Sequence, residues 1–136
     1  MKTEVHFHST AFNCTESKDY FINPGCWGDD VCRWMISDLR GRGFETDEEP
    51  GQEDFGWYFC FSAGGVPHCF VTGFQPNDPD SGNQWLGWIE RDCGLIATLF
   101  GGRRRGIKAE AIKQVDETLR SHPGITNISW HDRGEQ

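Results

Sequence analysis

The sequence predicts an α+β fold: a two-layer sandwich in which a mainly antiparallel sheet of about five to six strands carries two helices on one face. Three observations lead there. Residues 55–75, FGWYFCFSAGGVPHCFVTGFQ, hold two β-favouring runs split only by Gly64-Gly65. Two stretches, 31–39 and 107–119, repeat apolar residues at helical spacing. Those helical stretches flank a block of strands instead of alternating with them, which argues against a parallel βαβ sheet.

The hairpin fixes the most. Both central positions of a primed two-residue turn need φ > 0, and Gly-Gly supplies that at little steric cost. With Gly64 and Gly65 as the turn, Ala63 pairs with Val66, Phe61 with His68, Cys60 with Cys69, and Phe59 with Phe70. Side chains alternate across a strand. Trp57, Phe59, Phe61, His68 and Phe70 therefore share one face, and Tyr58, Cys60, Ser62, Cys69 and Val71 the other. The aromatic face is the one the helices are expected to cover. A slip of one residue would exchange the two sets.

The remaining elements follow in order. Residues 4–12, EVHFHSTAF, alternate as a strand with Val5 and Phe7 inward. His6 and His8 then share the other face. Two histidines at i, i+2 are a workable metal spacing, but no Cys or Asp motif supplies further ligands, so a polar outer face is expected and no metal or cofactor. Residues 13–24 are irregular, with Tyr20, Phe21 and Ile22 as an anchor and Asn23-Pro24-Gly25 as a turn. Gly28 or Asp29 caps the first helix, and Asp29 and Asp30 suit its positive end. Val31, Cys32, Met35, Ile36 and Leu39 form its apolar face, with Trp34 at the margin. Arg40 and Arg42 fall near the negative end, and Gly41 or Gly43 stops the helix.

Residues 44–54, FETDEEPGQED, carry Glu45, Asp47, Glu48, Glu49, Glu53 and Asp54. Phe44 and Thr46 could begin a strand, and Pro50-Gly51 turns. A like-charge run normally stays in water, and the oxygen-ligand loop D-x-[DN]-x-[DN]-G is absent. A solvated acidic loop is the plain expectation. After the hairpin, 76–83 is a loop by composition. Residues 84–91, QWLGWIER, are a strand with Trp85 and Ile89 on one face and Leu86 and Trp88 on the other, so it either lies centrally in the sheet or leaves one Trp exposed. Residues 95–100, LIATLF, fit a helical turn or a buried extension equally well.

The basic cluster GGRRRG, 101–106, leads into the second helix. Its apolar face is Ile107, Ala111, Ile112, Val115 and Leu119, and Pro123-Gly124 ends it. A Gly-rich basic loop at a helix start can hold an anion on free N–H groups, with Arg103, Arg104 and Arg105 as ligands. The phosphate motifs G-x-x-x-x-G-K-[ST] and G-x-G-x-x-G are absent, and the same arginines could pair with the 45–54 acids or stay solvated. Residues 125–130, ITNISW, are a last strand, and 131–136 a polar tail.

The 136 residues fit one domain, 1–136. Hydrophobic content is low, at 36%, but six Trp and ten Phe compensate, because each buried aromatic removes a large area from water. A net charge of −8 disfavours nucleic acid and anionic membranes, and suits a basic partner. No apolar run is long enough to span a bilayer. The first residues lack the apolar core of a secretory signal, so a cytoplasmic protein with reduced cysteines is expected. No C-x-x-C occurs, which removes zinc-ribbon and thioredoxin readings.

Nucleophile motifs are also missing. G-x-S-x-G does not occur. His68 neighbours Cys69 in sequence, but adjacent strand residues point to opposite faces, so no Cys/His dyad forms there. Cys60 and Cys69 face each other instead.

The stretches NPGCWGDDVCRWMISDLRGRG, EEPGQEDFGWYFCF and WLGWIERDCGL resemble a group of small uncharacterised bacterial proteins of about this length. The likeness runs from about His6 to Trp130. It implies a bacterial, single-domain, stand-alone protein, and it implies no activity, cofactor or catalytic residue.

The composition favours a non-enzymatic, cytoplasmic protein-binding module, such as an inhibitor or immunity-type protein. Its acidic and aromatic surface has one edge at Glu48, Glu49, Glu53, Asp54 and Trp57. An exposed Trp beside carboxylates has the make-up of a binding hot spot, and the acids would steer a basic partner. The alternative is a small-molecule or anion-binding domain, with or without enzymatic activity, whose site lies near the GGRRRG loop.

Overall fold

A computed structural model of the chain describes residues 2–14, 16, 18–22, 26–53, 56–75, 84–91 and 106–132. In chain order these form β1 (Lys2–Ser9), α1 (Asp29–Gly41), β2 (Gly51–Glu53), β3 (Gly56–Ala63), β4 (Val66–Gln75), β5 (Gln84–Arg91), α2 (Ala109–Ser121) and β6 (Ile125–Asp132). The strands make a six-stranded sheet in the order β2-β3-β4-β5-β1-β6. Every pairing is antiparallel. The α+β architecture is the one the sequence predicts. The loop 76–83, residues 95–100, the turn 23–25, Asp54, Cys93 and the basic loop with Arg103, Arg104 and Arg105 lie outside the described residues.

The hairpin has the expected register, with Cys60 opposite Cys69 and Phe59 opposite Phe70. Gly64 and Gly65 have φ of 58° and 78°, as a primed turn requires. Pro67 is tolerated in β4 because the β5 ladder starts at His68, opposite Arg91. Among the described residues the missing N–H of Pro67 therefore costs no sheet hydrogen bond.

Alternation then builds the core. Val5, Phe7, Phe59, Phe61, Phe70, Trp85 and Ile89 point to one face and are essentially sealed from water. Val31, Met35 and Leu39 of α1 and Ala111, Val115 and Leu119 of α2 join them in one cluster. Both helices thus lie on the aromatic face. Each fully buried side chain of this size contributes roughly 1.5–3 kcal/mol relative to exposure. Ile112, expected in the core, is only partly buried, because it turns towards the groove beside Trp130. Gly87 is needed where it stands: a Cβ there would come 2.5 Å from Cζ of Phe70.

Arg42, just past α1, clamps the two helices. Its guanidinium donates to Oε1 of Gln114 at 2.6 Å, to Oε2 of Glu117 at 3.3 Å, to Oγ1 of Thr118 and to Oδ2 of Asp38 at 3.2 Å. The hydroxyl of Thr118 donates in turn to Asp38 at 2.9 Å. A planar fork with several donors can hold both helices at once, which an ammonium cannot.

Three boundaries differ from expectation. β1 stops at Ser9, short of Phe12, because the Ala11 N–H donates to Oγ of Ser9 at 3.1 Å. That local turn competes with the ladder. Residues 51–53 of the acidic run are a strand, paired with β3 through Gly51–Tyr58, Gln52–Trp57 and Glu53–Gly56. β6 continues through His131 and Asp132, which pair with Glu4 and Lys2.

Candidate functional site

A cleft of about 460 Å³ opens along the described part of the acidic edge. It forms where the segment after β1 crosses the start of α1 and meets β2. Tyr20 and Ile22 come from that segment, Arg33 from α1, and Glu49 and Gln52 from the approach to β2 and from β2 itself. Tyr20 and Ile22 are 53% and 77% exposed, the two large hydrophobic side chains so exposed among the described residues. Between them Phe21 turns inward and packs on Trp57, ring centroids 5.1 Å apart.

Charge is distributed unevenly around this cleft. The Tyr20 hydroxyl donates to Oδ2 of Asp29, a carboxylate buried at the first turn of α1. That hydrogen bond, then burial, hold the Tyr20 phenol above its ordinary pKa. The phenol therefore stays protonated and remains a donor at neutral pH. The Arg33 guanidinium lies over the Tyr20 ring at 5.7 Å from its centroid. It is also 3.6 Å from Oε1 of Glu49 and 4.0 Å from Oδ2 of Asp29. Beside it, burial raises the pKa of Asp30, and the Asn13 N–H donates to that carboxylate at 2.7 Å and works against the rise. The Ile22 N–H donates to Oε1 of Gln52 at 2.6 Å, which ties the crossing segment to β2.

The predicted binding residues are only partly brought together. Glu48 and Glu49 are exposed on the turn before β2. Glu53 is half-buried in β2, and its carbonyl accepts from the Cys26 thiol at 3.8 Å. Asp54 lies outside the described residues. Trp57 corrects the expectation of an exposed Trp. It is 3% exposed, and its indole N–H donates to the Cys26 carbonyl at 2.8 Å. It forms the floor of the cleft and offers no surface ring. Tyr20 and Ile22 take that place. The sequence marks Tyr20, Phe21 and Ile22 together as an anchor, but an irregular segment has no period from which to tell which side chain turns out.

Asp47 is also not a solvated acid alone. Its N–H donates to the Cys60 carbonyl at 3.0 Å, and its Oδ2 accepts from the Cys60 N–H at 2.9 Å. It closes the edge of β3 beyond the reach of β2.

The histidines have structural partners. His6 Nε2 is 3.1 Å from Oε2 of Glu4, its Nδ1 is 3.3 Å from the amide Nε2 of Gln84, and its ring is 4.6 Å from that of His131. His8 Nδ1 is 3.2 Å from Nδ2 of Asn127. Among the described residues no three His, Cys, Asp or Glu side chains are placed to hold a metal. His68 is fully buried on the aromatic face. Its Nε2 accepts from the Lys108 N–H at 3.1 Å, so Nδ1 carries the proton and donates to the Val66 carbonyl at 3.0 Å. His68 joins the hairpin to the start of α2, on the face opposite both hairpin thiols.

A second groove, of about 400 Å³, lies between α2 and β6 and includes Ile112, Lys113, Asp116, Arg120 and Trp130. Asp116 is already engaged there, accepting from the Trp130 indole at 2.9 Å and from Arg120. No helix of the described chain is long and apolar enough to cross a membrane. Comparisons with family models, with curated proteins and with solved structures return no match for this chain.

Proposed function

We propose that this protein is a non-enzymatic binding module for another protein, and that its contact edge is the cleft at β2. One observation carries the reading. The two exposed large hydrophobic side chains among the described residues, Tyr20 and Ile22, line one cleft with the acid Glu49, and exposed Glu48 precedes it in the chain. An aromatic and an aliphatic anchor rimmed by charge is the composition of an interface hot spot with a polar rim. The acids and the net charge of −8 favour a basic partner and faster encounter with it. An inhibitor or immunity-type role is one form such a module takes.

The test is capture from the native host with three variants. Ile22→Asp and the pair Glu48→Lys/Glu49→Lys are each expected to lose a partner that the wild type retains, with unchanged unfolding midpoints. Lys113→Glu, on the opposite edge, is expected to retain it. Retention should also weaken as salt is raised, because exposed charges are screened within about 10 Å at 0.1 M. Equal recovery of every partner by all four proteins would sink the proposal.

A further inference from the structure

We propose that Cys60 and Cys69 form a dithiol–disulfide site that exchanges with small disulfides, cationic ones in preference. The two residues are direct partners across β3 and β4. Both backbone groups of Cys60 are turned to Asp47 on the other side of β3. Cys60 and Cys69 are therefore a non-hydrogen-bonded pair, the kind whose Cα atoms approach to about 4.5 Å and whose side chains lie closest. That spacing falls inside the window of roughly 4.4–6.8 Å that a disulfide accepts. The sulfurs themselves are 2.9 Å apart, nearer than the roughly 3.5–4.0 Å of ordinary non-bonded carbon contacts.

Access is one-sided. Cys69 is 5% exposed, whereas Cys60 is half-buried and opens on a cavity of about 250 Å³. Glu45, Asp47 and Ser62 line the same cavity, and both acids are exposed. An incoming group thus meets carboxylates and a hydroxyl, which favours an amine-bearing disulfide such as cystamine over an anionic one such as oxidised glutathione.

The exchange balances in two steps. The Cys60 thiolate attacks one sulfur of R–S–S–R, forming a mixed disulfide and releasing RS⁻. Cys69, on giving up its proton, attacks the Cys60 sulfur, closes the cross-strand bond and releases the second RS⁻. Two protein thiols are oxidised, one small disulfide is reduced, and the two protons end on the released thiols.

The chain provides a clean readout. Arg42 and Arg91 are consecutive tryptic sites, and the peptide 43–91 contains Cys60 and Cys69 and no other cysteine. Folded wild type treated with cystamine, then alkylated and digested, is expected to yield this peptide unalkylated and lighter by two hydrogens. The Cys69→Ser variant should instead hold the cysteamine adduct on Cys60. The Cys60→Ser variant should leave Cys69 unmodified. Cystamine should react several-fold faster than oxidised glutathione at low salt, with the ratio falling as salt screens the acids. If Cys69→Ser does not fold, the wild-type and Cys60→Ser peptides still decide. Recovery of folded wild type with both thiols alkylated, or linkage only after unfolding in urea, would overturn the site. Equal rates for the two disulfides at low salt would overturn the cationic preference.

Discussion

Phe59 and Cys60 are neighbours in β3, yet their surroundings share little. Phe59 is sealed among Phe61, Phe70 and the two helices. Cys60, one position on, opens to a cavity and touches a second thiol. The same alternation runs along β1, where Val5 and Phe7 are fully buried while His6 and His8 are half-buried and bonded to polar groups. On the outer face the burial of Cys69, Val71, Trp88 and Glu90 occurs without a described helix over them. There the Trp88 indole donates to Oε1 of Glu90 at 2.9 Å, so a buried carboxylate is matched by a donor from its own strand. The inner face is thus held mainly by volume, with His68 as a buried polar link, and the outer face relies more on pairwise polar matches. The Cys60 cavity opens on the outer face, whereas the Tyr20 and Ile22 cleft reaches the inner face only at its margin, over Trp57.

That contrast can be broken or sharpened by substitution. The largest effect is expected from Phe70→Ala, which removes a fully buried ring against Phe59 and Gly87. Such truncations cost about 3–5 kcal/mol, and urea unfolding should show it. A loss under about 1 kcal/mol would mean that the inner face is loosely packed and the contrast false. His68→Phe comes next. It keeps an aromatic ring, somewhat larger than imidazole, but removes the acceptor for the Lys108 N–H and the donor to Val66. A cost of about 1–3 kcal/mol is expected for the backbone group left unsatisfied. A cost near zero would show that volume suffices at that position. The smallest effect is expected from His6→Ala on the outer face, within about 0.5 kcal/mol, as for most surface substitutions. A larger loss would give the Glu4–His6–Gln84 contacts a weight that half-exposed pairs rarely have.

The fold was legible where a local rule had one solution. Gly64-Gly65 admits one short turn, the turn sets the register, and the register sorts every hairpin side chain. The same parity places Trp57 inward beside Phe59 and Phe61, as it is found. The expectation of an exposed Trp57 came from composition, and the parity of its own strand overruled it. The missing parts depend on distant residues. β2 is a strand because β3 is there to pair with it, and three residues of GQE carry no period. Arg42 reads in sequence as a charge at a helix end, yet it meets Gln114 and Thr118, 72 and 76 residues away. Tyr20 and Ile22 face outward because Phe21 is the side chain that reaches Trp57, a fact set by tertiary packing.

The strand order has a consequence in time. β1 lies between β5 and β6, so it has no strand neighbour until the last third of the described chain exists. The contact from Ser9 to Trp85 spans 76 residues. At ordinary synthesis rates β1 waits roughly 4–15 s on the ribosome for that partner. The β3–β4 hairpin, with a two-residue turn, forms within microseconds once made. β1 is therefore made before either of its strand neighbours, and Val5 and Phe7 wait for β5 before their place in the sheet exists.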